Sequence, residues 1–152
     1  MASITYDKIF SYFLGDITDY NLYNLSQSDA EMLMTEYLHK AMAESYVNRL
    51  FSKYTLSDDV QTLEYEMIHV VGDDQDEEFV ATAIAKWMVY EWLKRQVKSV
   101  TNTAQMFAGK EQKMYSQAQH LSELRSLQDD AFKEARFYLQ DRGYIYNDYL
   151  GT

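Results

Sequence analysis

The sequence contains no cysteine and no proline. Without cysteine there can be no disulfide framework, thiolate zinc site or thiol nucleophile. Without proline, and with glycine only at 15, 72, 109, 143 and 151, few residues interrupt a helix, so helices are free to run long. No run approaches the about 20 consecutive apolar residues of a membrane-spanning helix. The opening Met1-Ala2-Ser3-Ile4-Thr5-Tyr6-Asp7 lacks the basic region and apolar stretch of a secretory signal. Basic residues are scarce: 14 Lys and Arg stand against 24 Asp and Glu, a net charge of −10. So acidic a chain is not expected to hold nucleic acid by neutralising phosphates. It reads as soluble, free of membrane and made in the cytoplasm.

What is present describes one domain. The chain has 152 residues, 47% of them apolar and 15% aromatic, enough to bury a core. The charge is divided unevenly. Residues 1–76 carry 14 acids and 4 bases, whereas residues 77–152 carry 10 of each. The whole acidic excess therefore lies in the first half. Such a surface serves solubility, repels DNA or meets a basic partner.

Apolar spacing predicts four helices and one strand. The first runs from Ser3, as N-cap, to Leu14, and Gly15 ends it. An irregular Asp-, Asn- and Tyr-rich stretch follows from Asp16 to Leu25. Ser28, with Glu31 as a capping-box partner, opens a second helix to about Phe51. Between Val60 and Val71, Leu63, Tyr65, Met67 and His69 alternate with Thr62, Glu64, Glu66 and Ile68, which predicts a short strand. A lone strand needs a partner: the stretch near 20–25, a tail, or another copy. The third helix, about Asp76 to Val100, is apolar nearly all round, so part of it is expected at a subunit interface. A loop at 101–110 leads to a fourth helix, Glu111 to Asp141, about 45 Å long at 1.5 Å per residue. Gly143 is expected to stop it and release an aromatic tail.

No active site emerges. His39, His69 and His120 form no ligand motif and read as surface or half-buried residues. Asp73-Asp74-Gln75-Asp76-Glu77-Glu78 lacks the pattern of a calcium loop and suits the first turn of a helix. No glycine-rich loop cradles a phosphate. Glu64 and Glu66 are paired carboxylates in principle, but a solvated strand edge explains them better. Nothing assembles nucleophile, base and oxyanion donors. The chain reads as a non-enzyme, with no metal and no cofactor.

Several segments together resemble the head–tail connector (adaptor, neck) family of long-tailed bacteriophages. They are Phe79 to Leu93 with Glu91-Trp92-Leu93-Lys94, then Gln105-Met106-Phe107-Ala108-Gly109-Lys110-Glu111. Tyr115-Ser116-Gln117-Ala118 with His120-Leu121 follows, and Arg142-Gly143-Tyr144-Ile145-Tyr146-Asn147 closes the series. The likeness spans roughly residues 60–150. It implies a mainly α fold: a small helical bundle with one very long helix, a short β strand or hairpin, and an extended C-terminal tail. Residues 1–141 would form a single connector-type domain and 142–152 a docking tail.

The resemblance further implies a homo-oligomeric ring, usually twelvefold, at the head–tail junction of the virion. Its partners would be the portal protein and the next neck, stopper or tail protein, with DNA passing through the ring unbound. Tyr144, Ile145, Tyr146, Tyr149 and Leu150 are then the portal-docking candidates. Trp87, Tyr90, Trp92, Met106 and Phe107 are the subunit-interface candidates. Asp58, Asp59, Asp73, Asp74 and Asp76 would form an acidic channel surface. Two alternatives stand beside this reading: another phage neck or tail-completion protein, and a small acidic helical binding or regulatory protein that mimics DNA charge.

Overall fold

The computed structural model describes residues 2–17, 27–106 and 111–145, with side chains at all of these except 27, 99–106, 111–120 and 143–145. Tyr146, Tyr149, Leu150 and Phe107 lie outside the described residues, as does most of the irregular stretch after Asp16.

The described elements run β1 (Ala2–Thr5), α1 (Tyr6–Gly15), α2 (Gln27–Ala43), α3 (Ser45–Asn48), β2 (Phe51–Ser57), β3 (Thr62–Met67), α4 (Asp73–Met106) and α5 (Glu111–Ile145). The fold is mainly helical with one small sheet. The sheet order is β1-β3-β2, antiparallel throughout.

The expected lone strand therefore has two partners within its own chain. Alternation sets the faces of β3: Leu63, Tyr65 and Met67 are buried, Glu64 and Glu66 exposed. Because β3 is the central strand, the two glutamates stand on a solvent face and not on an edge. Glu66 pairs with Lys53 across the ladder at 3.3 Å. The Gln61 backbone adopts φ 53° in the β2–β3 connection, and its carbonyl accepts from the Tyr6 amide at 2.9 Å. That bond ties the turn to the start of α1.

Four helix boundaries differ from expectation. One is the end of α4, which runs on to Met106 through residues 101–106 of the expected loop. Ala2–Thr5 is a strand, so Ser3 caps nothing. Thr5 is the N-cap, its hydroxyl accepting from the Lys8 amide at 3.4 Å. The second helix stops at Ala43, because Glu44 turns to ψ 132° before the single turn of α3. Gly143 does not stop the last helix: α5 continues to Ile145, so residues 142–145, expected in an extended tail, are helical.

α4 and α5 hold 34 and 35 residues, about 50 Å each at 1.5 Å per residue. They pack antiparallel, since contacts pair 76 with 142, 79 with 138, 86 with 134 and 87 with 132. The core forms where α1, α2 and the inner sheet face meet α4. Tyr6, Phe13, Tyr37, Leu38, Leu63 and Trp87 are among its fully buried side chains.

Candidate interaction surfaces

The five acids assigned to one surface divide on folding. Asp73 and Asp74 are exposed in the first turn of α4, where the helix dipole favours negative charge. Asp59 is exposed in the hairpin turn. Asp58, beside it, accepts from the Tyr6 hydroxyl at 2.7 Å and lies 3.0 Å from His39 Nε2 through both oxygens. The Tyr6 and His39 contacts hold the Asp58 carboxyl below the usual carboxylate range. Burial, then the Asp58 carboxylate, push the Tyr6 phenol upward.

Asp76 is a correction. It is 5% exposed and so forms no part of an outer acidic surface. Its carboxylate accepts from the Val71 amide and pairs with the Arg142 guanidinium. Arg142 also donates to the His69 carbonyl at 3.2 Å and lies 4.1 Å from the Phe79 ring centroid. A charge this enclosed requires a partner, and Arg142 supplies one from the far end of the paired helices. The result is a clamp between the first turn of α4 and the last turns of α5.

Trp87 is the second correction. It is fully buried in its own chain, which leaves it no surface to present to another copy. Tyr46 stacks on it at 5.4 Å and 9°, with Phe132 and Tyr90 edge-on at 5.6 and 5.8 Å. Its indole Nε1 is buried without a hydrogen-bond partner among the described residues. The expected apolar face of α4 is thus partly filled by α5. Tyr90 and Trp92 are half-buried, and Lys94 lies 5.2 Å from the Tyr90 centroid. Met106 ends α4 and Tyr144 and Ile145 end α5; their side chains lie outside the described ones.

Other features escaped the sequence reading. Lys8 of α1 reaches Glu77 at 3.1 Å and Glu78 at 2.8 Å, and the Tyr12 hydroxyl donates to Glu78. No local pattern links residues some 70 positions apart. Glu44 and the buried Glu91 share a hydrogen bond; burial, then that bond, raise the Glu44 carboxyl above its ordinary range. Ile68 and Val70 follow the sheet with 54% and 69% exposure. Beside them, Val71, Phe79, Tyr138 and Arg142 line a groove of about 530 Å³ bordered by Asp74, Glu78 and Asp141.

Among the described residues, no three His, Cys, Asp or Glu gather as metal ligands, and no helix is long and apolar enough to cross a membrane. The site chemistry is that of surfaces: fixed acids, half-buried aromatics and a clamped helix end. No protein-family model matches the chain, and no curated protein or solved structure matches it.

Proposed function

We propose that the chain is a subunit of the head–tail connector ring of a long-tailed bacteriophage, seated between the portal and the next neck or tail protein. The observation that carries the reading is the Arg142 clamp. Arg142 opens the Arg142-Gly143-Tyr144-Ile145-Tyr146-Asn147 segment on which the family resemblance closes. Its buried pairing with Asp76 anchors the last turns of the helix, which carry residues 142–145 of that segment. A docking tail works only if its root is fixed, because ordering a free tail on binding costs conformational entropy.

In this reading Tyr144, Ile145, Tyr146, Tyr149 and Leu150 dock on the portal, and the exposed Ile68 and Val70 stand near the same end. Tyr90, Trp92, Met106 and Phe107 face neighbouring copies. Asp73 and Asp74, exposed and in no ion pair among the described residues, face the DNA. The ring is twelvefold, resides in the virion and lets DNA through without binding it.

The test is co-purification with the portal protein of the same phage, followed by electron microscopy. The full chain should decorate the portal as a ring. A variant ending at Ile145 should keep its helical circular dichroism and lose portal binding. A full-length chain that ignores the portal overturns the proposal.

A further inference from the structure

In a chain with ten excess acids, two arginines converge on one ring. The Arg49 and Arg136 guanidinium carbons lie 5.5 and 5.2 Å from the Tyr46 centroid, so they are no further apart than those two distances combined. Among the described residues neither is in an ion pair. Arg49 Nε donates to the Ser45 carbonyl at 3.3 Å, while Arg136 Nε is buried with no hydrogen-bond partner among the described residues. Glu134, two residues before Arg136, is held by Lys86 at 2.6 Å. Like charges within this distance repel, and the shared cation–π contact offsets only part of that repulsion. A carboxylate reaching both would relieve the repulsion and take up free guanidinium donors.

An exposed acid on a fixed turn, Asp59, lies at the other end of the hairpin. Arg49 stands just before β2, and Asp59 just after it. Seven strand residues at about 3.3 Å each separate them by roughly 23 Å, so the chain's own Asp59 does not reach Arg49. The turn that carries Asp59 is tied down by the Tyr6 amide on Gln61 and by Tyr6 and His39 on Asp58. It presents Asp59 outward beside Val60, which is 69% exposed.

We infer that Asp59 of one copy docks between Arg49 and Arg136 of the next, with Val60 alongside. Two different patches at opposite ends of one hairpin make a head-to-tail contact, the kind whose repetition closes a ring or opens a filament. The inference deepens the ring reading and rests on it.

Sedimentation velocity on the full-length chain over rising concentration, at low and high salt, provides the test. The wild type should associate beyond a dimer, less so in high salt. Arg49→Glu and Asp59→Lys, both at exposed positions, should each weaken association about tenfold or more with circular dichroism unchanged. The double reversal should recover it.

A wild type that stays monomeric to millimolar concentration overturns the contact. So does a single reversal that associates normally, or a double reversal as weak as its parents. Stabilisation by inorganic phosphate that requires Arg49, with association unaffected by either reversal, also overturns it, since the site would then take a free anion. Portal binding separates this from the parent proposal. Portal-bound rings indifferent to both reversals keep the connector and lose the contact, whereas charge-dependent oligomers that ignore the portal do the opposite.

Discussion

Arg142 and Asp76 stand 66 positions apart and meet with side chains 11% and 7% exposed. Removing one member strands a buried charge, so Arg142→Ala should cost about 3–5 kcal/mol in urea unfolding. Replacing both, as Arg142→Met with Asp76→Leu, should cost much less, because the two desolvation penalties leave together. Equal losses for the single and double variants would show the pair to be uncoupled. Glu44 offers a test of opposite character. Its raised carboxyl means that the folded chain binds a proton more readily than the unfolded one. Its contribution is thus fullest below the unfolded carboxylate value of about 4.3 and declines as pH rises above it. Lys94, 3.4 Å from Glu91, offsets part of the repulsion between the two ionised carboxylates. Glu44→Gln should therefore gain melting temperature over the wild type between about pH 4 and about pH 7. A difference that stays constant across that range would exclude the pair as its source.

At the scale of elements, legibility follows the length of the pattern. α4 was readable because its apolar residues recur over many turns, and β3 because Leu63, Tyr65 and Met67 alternate cleanly. β1 spans only four residues, too few for a period, and its Ser3 imitates a helix cap. β2 matches no expected element: the preceding helix is expected to reach about Phe51, where β2 begins, whereas it really ends at Ala43. Gly143 carries a stop signal of local origin, and α5 passes through it, with the preceding residue held by Asp76 from the first turn of α4. The buried places of Asp76 and Trp87 follow the same logic. A residue's own segment states its polarity, whereas its enclosure depends on partners such as Arg142 and Tyr46 that are distant in sequence. The hairpin turn adds an element-scale prediction. Gln61 holds φ 53°, a region that costs an L-residue about 1–2 kcal/mol. Gln61→Gly should raise the stability by up to about 1 kcal/mol, the gain reduced by the extra freedom of unfolded glycine. A loss in chemical denaturation would mean that the Gln61 side chain contributes more than its backbone strain costs.

On the whole molecule the decisive quantity is charge, and its arrangement matters more than its sum. Much of the described acidity is spent internally: Glu77 and Glu78 hold Lys8, Asp76 holds Arg142, Glu134 holds Lys86 and Glu66 holds Lys53. Asp73 and Asp74 are left exposed in one helical turn. In the proposed ring these two would recur in every subunit, so a modest local charge would become a negative band around the passage. DNA carries one negative charge per about 1.7 Å of axis, so such a band repels the duplex and keeps it from adhering as it moves. Changing both residues to lysine adds two charges per site and takes each subunit from −10 to −6. It also turns the band into a ring of cations, each able to displace counterions from the passing duplex. Because both side chains are exposed and lack ion pairs among the described residues, assembly and portal binding should survive. Genome release from the variant particle, followed by the fluorescence of a DNA-binding dye, should slow, and the delay should shrink as salt screens the new contacts. Release at the wild-type rate in low salt would place these acids away from the DNA path.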